Sequence, residues 1–314
     1  MNQYKLILTM QSRVNRTSKM AILIGVVIFI IGCSPKKYIL NQFDGVFDSI
    51  EHVYITDDDP QLVKESFPFN LKIIEILLDQ NPDDREMLLT ALSSFTMYSY
   101  GFVMEDAEKL VLEDYSAGKE IFNRANKLFN RALRYGVHGM ELKYPEFTIW
   151  WEQREIDKNP FVEEDIAYLY WMSAALGGLI SSSQGNPIYV VDLPKVGWLL
   201  EKSMELEESW NNGALYSAMI SFTMSRPDVV VDREQIARDY FNKAVEASAG
   251  EDCGIYVRFA ESVCIKNQNK DEFIEKLNFV LNFDIENVKE LRLANTMAQS
   301  RAKWLIDRID ELFY

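Results

Sequence analysis

The side chains able to do chemistry are few and poorly spaced for it. The chain carries 2 histidines, His52 and His138, far apart in sequence. No His-Glu-x-x-His zinc helix exists, and each histidine reads as a surface or capping residue. The run Gly178 to Gly185 is not followed by Gly-Lys-Ser/Thr, so it is no phosphate loop. Gly177-Gly178 fits a close helix crossing instead. No serine sits within Gly-x-Ser-x-Gly. Asp57-Asp58-Asp59 has the acidic density of a calcium loop, but Pro60 and the missing downstream ligands favour a solvated helix start. The remaining carboxylates are scattered, as on solvated helix faces. No catalytic residue is assigned, and no metal or cofactor is expected.

Residues suited to binding are easier to find. Trp150-Trp151, Tyr168, Tyr170-Trp171, Trp198, Trp210 and Tyr216 crowd the middle third. Aromatic side chains bury large areas, so most of these belong to a core. A minority, with Tyr170, Trp171 and Tyr216 as candidates, suit the wall of an apolar cavity. Arg258 and Glu261 are three apart, share a helix face and can pair. Asn295 and Gln299 are four apart and present amides to a neighbouring helix or to a ligand.

Composition narrows the field further. Of 314 residues, 33 are basic and 48 acidic, a net charge of -15. Such a chain is poorly suited to nucleic acid, which is gripped by Lys and Arg neutralising phosphates. Hydrophobic residues at 48% and charged residues at 26% are ordinary for a folded protein. With 14 glycines and 9 prolines, collagen-like and low-complexity readings fail. Three cysteines make no disulfide framework. On one helix Cys253 and Cys264 would lie about 16 Å apart, beyond the reach of a disulfide. A break at Cys253-Gly254 would relax that distance, yet two buried thiols are the preferred reading.

The N-terminus reads as an address. Lys5, Arg13, Arg16 and Lys19 precede an unbroken apolar run from Met20 to Ile31. That run is too short to span a bilayer comfortably and suits a signal-peptide core. It ends in Ile30-Ile31-Gly32-Cys33, followed by Ser34. This resembles a bacterial lipobox, with residues 1–32 as the leader and Cys33 as the acylated first residue of the mature protein. Several acyl chains hold a membrane far more firmly than one, which binds only reversibly. Ser34 implies, by the same resemblance, the outer membrane over the inner. Residues 33–59 read as a lipidated linker and opening helix.

The body, residues 60–314, reads as all-α. Ile188-Tyr189-Val190-Val191 and Val229-Val230-Val231 are the only extended-looking pieces, and both read as loops. Apolar stripes at helical spacing run through Ile121, Phe122, Ala125, Leu128, Phe129, Ala132 and Leu133. A second runs through Ile236, Ala237, Tyr240, Phe241, Ala244 and Val245, and a third through Ala294, Met297, Ala298, Leu305, Ile309 and Leu312. Asn81-Pro82-Asp83 marks one helix start, and Asp232 with Gln235 predicts a capping box at another. The small-large-small triplet Ala125, Phe129, Ala132 recurs as Ala237, Phe241, Ala244. Val196, Leu200, Ser203 and Phe273, Leu277, Val280 are weaker echoes. This spacing matches the second helix of a tetratricopeptide repeat, and predicts an array of antiparallel helix hairpins forming a curved superhelix. The repeat is degenerate, since the first helices lack the Trp-Leu-Gly-Tyr set.

These helices also carry a family resemblance. Asp165 to Leu179, centred on Leu169-Tyr170-Trp171, resembles the middle of the TRAP-transporter T-component family. So do Tyr256 to Cys264, Gln268, and Phe273 to Leu281. Leu293-Ala294-Asn295, Gln299 and Ala302 to Leu305 continue the likeness, and Asp59 to Leu78, Asn81-Pro82 and Tyr98 to Ala107 are similar to its opening helices. The resemblance implies a periplasmic lipoprotein of TPR-like helix pairs that assembles as a homotrimer. It implies a periplasmic solute-binding protein as partner, and a channel or cavity for a small hydrophobic organic or organic-acid ligand. The Ile188 to Leu193 insert and the Asp228 to Val231 loop depart from the family pattern. A structural lipoprotein scaffold that holds an envelope protein or peptide is the alternative. A helical enzyme acting on envelope polymers would need paired acids in a cleft.

Overall fold

In the computed structural model, residues 52–155, 159–226 and 232–314 are described, and every regular element among them is helical. The leader, Cys33, most of the 33–59 linker and the Asp228 to Val231 loop lie outside the described residues.

The first long helix, α1 (Pro60–Gln80), starts where the acidic run ends. Asp59 accepts hydrogen bonds from the amides of Gln61 and Leu62, both at 3.0 Å, and Pro60 takes the first helical position, where its missing N–H is no loss. Val63, Phe67, Leu71, Ile74 and Leu78 form its buried face. Asn81 closes α1 rather than opening the next helix, its amide bonding the Leu77 carbonyl at 3.0 Å. The next helix, α2 (Arg85–Tyr98), begins from Asp84, whose carboxylate accepts from the Met87 amide at 3.1 Å. It continues without a break through a π-helical segment, Ser99–Met104, into α3 (Glu105–Glu113). By length and composition Arg85–Glu113 could cross a membrane. Leu88, Ala91, Leu92 and Phe95, exposed by no more than 2%, make it a core helix instead.

The chain then builds α4 (Tyr115–Lys143), α5 (Phe147–Gln153), α6 (Ile166–Ser182), α7 (Pro187–Val190) and α8 (Leu193–Met204). After these come α9 (Trp210–Ser225), α10 (Arg233–Ala247) and α11 (Cys253–Phe259), the last running on as a second π-helical segment, Ala260–Cys264. The C-terminal part is α12 (Lys270–Asn282), α13 (Arg292–Asp307) and the short α14 (Ile309–Leu312). Packing proceeds along the chain: α2 lies on α4, α4 on α6, α6 on α8, α9 on α10, and α11 on both α12 and α13.

All four small-large-small triplets face the core. Ala125, Phe129, Ala132, Ala237, Ala244, Ser203, Phe273, Leu277 and Val280 are fully buried, and Phe241, Val196 and Leu200 nearly so. Gly178 shows why a small residue is needed at a crossing. A methyl group placed there would lie 2.3 Å from the Phe129 ring. The close crossing read at Gly177-Gly178 is therefore present at Gly178.

Three further local readings need correction. Ile188 to Val190 is not a loop but most of helical turn α7, because Asn186 caps the Ile188 amide at 3.1 Å and Pro187 fits the first helical position. Asp232 forms no capping box: it sits in the left-handed region (φ 56°), and the Gln235 amide donates to Asp239 instead. The α13 stripe is rotated, with Asn295, Ala298, Ala302 and Leu305 buried and Ala294 exposed.

Candidate functional site

The two π-helical segments mark the part of the molecule where distant helices converge. A π-turn inserts a residue into the helical ladder and swings the following side chains to a new bearing. In the first segment Tyr100 leaves the α2 face. Its hydroxyl donates to the Ala174 carbonyl of α6 at 3.2 Å, and its ring meets Phe129 of α4 edge-on at 4.7 Å. Gly101 follows, and a methyl group there would come within 2.9 Å of Met297 on α13. The last long helix thus touches the first ones, and α13 also packs on α1.

A charged clasp fixes this return. Arg301 of α13 lies 3.0 Å from Glu105 and 2.6 Å from Glu108, both on α3. The same guanidinium lies 2.5 Å from Glu261 of the second π-segment. Lys109 reaches Glu105 at 2.7 Å. Three carboxylates around one guanidinium leave Glu108 over-supplied with negative charge. Burial, with Glu261 and Glu105 adding to it and Arg301 opposing, holds its carboxyl above the usual carboxylate range.

Beside the clasp stands an aromatic wall with one cation. Tyr170 of α6 packs against Trp171 and against Trp210 of α9, each at 5.1 Å between ring centroids. Arg258 of α11 is exposed, and among the described residues it has no hydrogen-bond or ion-pair partner. Its charge nevertheless acts on the Tyr100 and Tyr170 phenols, and Glu108 acts on Tyr100 as well. Tyr100 is 41% exposed, yet burial is the main cause of its raised pKa. Tyr170 is half-buried and raised by burial in the same way. Tyr100, Tyr170 and Trp210 lie where α6, α9 and the first π-segment meet, and this convergence is the candidate recess.

The expected site residues divide. Tyr170 and Trp171 pack together at this convergence, Arg258 is exposed on α11, and Glu261 belongs to the clasp. Arg258 and Glu261 do not pair, because the π-segment that starts at Ala260 turns Glu261 toward Arg301. Tyr216 is core, 9% exposed, its hydroxyl donating to Glu208 at 3.0 Å. Asn295 is fully buried between α11 and α13, accepting from the Cys253 amide at 3.0 Å and donating to the Glu251 carbonyl at 2.9 Å. Gln299 donates to the carbonyls of Val280 and Phe283 at 3.0 and 2.9 Å, closing the end of α12. These three are committed to neighbours within the fold. Tyr100, Glu108 and Arg301 escaped the sequence reading, since nothing local marks their meeting across the chain. The two tyrosines, Tyr98 and Tyr100, and the glycine within Phe95–Met104 were the available hint.

Two further features lie apart from the recess. A groove of about 580 Å³ runs along α12 between Tyr256, Phe279 and Phe283. Cys253 and Cys264 are buried free thiols, each pushed up to about 12 by burial.

Comparison with known proteins supplies the context for this arrangement. A Treponema pallidum (strain Nichols) protein, named only as uncharacterized, is 26% identical over 266 residues, covering 83% of this chain and 82% of its own. The family profile described as TRAP transporter T-component matches residues 56–313. That match takes in α1 through α14, both π-segments, the clasp and every wall of the recess, and the chain belongs to the TRAP transporter T-component family.

Proposed function

We propose that the protein is the lipid-anchored, periplasm-facing accessory subunit of a TRAP-type transporter. It docks the periplasmic solute-binding protein and helps pass a small organic solute through the recess. Cys33 carries the anchor, in the outer membrane, and the assembly is a homotrimer. The family membership supports the transporter context. The observation that carries the solute role is the gathering of aromatic side chains where α6 meets α9 and the first π-segment, Tyr170 with Trp171 and Trp210, and Tyr100 with Phe129. Small-ligand sites have this character: apolar walls with a few placed polar groups. The role is binding and passage, with no bond made or broken.

The test is mild cross-linking in the native envelope, capture of the full chain, and mass spectrometry of what comes with it. A recovered periplasmic solute-binding protein, with a subunit ladder ending at three, is the expected result. Recovery of envelope or cell-wall proteins alone would overturn the transport role and favour the scaffold.

A further inference from the structure

We propose that the cleft between the first half of α4 and the α6–α7 connection is a binding site for the ring of a neutral sugar. It uses none of the residues of the recess and does not rest on the transporter role.

A cavity of about 450 Å³ opens there, within the size range of small-ligand sites. Lys119, Asn123 and Asn126 line it from successive turns of α4. Gln184 and Asn186 line it from the connection beyond α6, and Tyr189 from α7. The connection is held in one shape. Gln184 and Gly185 both take left-handed backbone, at φ 52° and 82°, and the Asn186 Oδ1 accepts from the Ile188 amide at 3.1 Å. Asn126 ties α4 to the end of α6, its Nδ2 donating to the Leu179 carbonyl at 3.1 Å and to the Ser182 hydroxyl at 3.2 Å.

These bonds leave a specific remainder. Asn126 keeps an unspent acceptor, its Oδ1, and Asn186 keeps an unspent donor, its Nδ2. Among the described residues, the side-chain amides of Asn123 and Gln184 and the hydroxyls of Tyr115 and Tyr189 have no hydrogen-bond partner. Fixed amides that offer both an acceptor and a donor suit hydroxyl groups, each of which gives one hydrogen bond and takes others. The aromatic side chains supply the second half of the match. Tyr115 lines the cavity while 66% exposed, and Tyr189 is half-buried. A sugar ring carries its hydroxyls at the rim and C–H groups on its face, and that face lies flat on an aromatic ring.

Other ligand classes fit less well. A hydrocarbon would cover the amides without pairing them, at a cost for each. An anion would find Lys119 as the sole charged side chain among the described residues lining the cavity, in a chain of net charge -15. A neutral ring bearing several hydroxyls meets the amides and the tyrosines together.

The test uses the full chain in a detergent without a sugar head group. Glucose, galactose, mannose and N-acetylglucosamine, and a trisaccharide of each, are titrated by calorimetry and by saturation-transfer NMR. Saturable binding of at least one neutral sugar is expected, with glucuronate binding no more tightly and hexanoate failing to displace it. Tyr115→Ala and Asn123→Ala should each weaken that binding about tenfold, as for the loss of one good contact. Tyr115→Phe should keep it within about threefold, because the ring face is what the sugar uses. Both side chains are exposed and hold no hydrogen bond, so circular dichroism and melting of the variants stay as in the parent. A trisaccharide bound more than about tenfold tighter than its single sugar makes a glycan chain the source of the ring; equal affinity makes it a free sugar. The proposal is overturned if no sugar saturates, if hexanoate displaces it or glucuronate outbinds it, or if both alanine variants bind as the parent does.

Discussion

Asp165 is the residue on which the middle of the molecule depends. Its carboxylate is fully buried and accepts from Lys143 at 2.8 and 2.9 Å, from Arg85 at 3.1 Å, from the Tyr144 hydroxyl at 2.6 Å and from the Val162 amide at 3.1 Å. Burial alone would raise its pKa, but Lys143, Tyr144, Val162 and Arg85 together hold it below the usual carboxylate value. The sign follows from that lowering. Its contribution to stability is complete above the ordinary aspartate pKa and is lost as pH falls through the lowered one. Asp165→Asn leaves two cations facing no charge, and should cost about 3 kcal/mol in urea unfolding at neutral pH. That deficit should shrink on acidification; a constant deficit would mean packing, not charge, is what was lost. Asn295→Ala strands the Cys253 amide and the Glu251 carbonyl, and should cost about 2 kcal/mol in urea unfolding. Cys253 and Cys264 should resist thiol reagents until the protein is unfolded, since the thiolate is what reacts. The residue types were legible in the sequence, and so were the two thiols. Which amides face a ligand was not: Asn295 and Gln299 have the right spacing for either use, and only the positions of Cys253, Val280 and Phe283 decide it.

At the level of elements, the spacing of small and large residues was the strongest signal. The triplets at Ala125, Ala237, Val196 and Phe273 are contiguous within one helix each, so periodicity alone finds their buried faces. Gly178→Ala should cost about 1–3 kcal/mol by overpacking, because Phe129 is fully buried and has little room to retreat. An unchanged melting temperature would show that α4 and α6 can separate freely. The π-segments were not legible. Nothing in Ser99–Met104 or Ala260–Cys264 distinguishes one extra residue per turn from an ordinary helix, since the inserted turn is held by tertiary contacts such as Tyr100 with Ala174 and Glu261 with Arg301. The misread capping box has the same origin: Asp232 and Gln235 satisfy the pattern, but a left-handed backbone at Asp232 points the carboxylate away.

Across the whole molecule, the clasp is the contact that sequence order hides most completely, joining Arg301 to Glu105 and Glu108 near the other end of the described chain. Arg301→Gln leaves three carboxylates facing one another and should cost about 2–3 kcal/mol near neutral pH. Glu108 titrates in the opposite sense to Asp165. Its raised pKa means that stability is present at low pH and is lost as pH rises through that value. The Arg301→Gln deficit should therefore shrink on acidification, with hydrogen exchange in α3 faster at the higher pH. A deficit independent of pH would show that the guanidinium acts through Trp304, which it covers at 4.4 Å, and not through the carboxylates. The clasp also sets an order of events during synthesis. Helix pairs such as α2 with α4 can form from nearby chain, but closing so long a loop is entropically costly and comes late. A nascent chain halted before α13 would have most of its core and no clasp: α3 and the second π-segment are tied together only when the last two dozen residues emerge, so a C-terminal truncation should loosen α3 before it unfolds the rest.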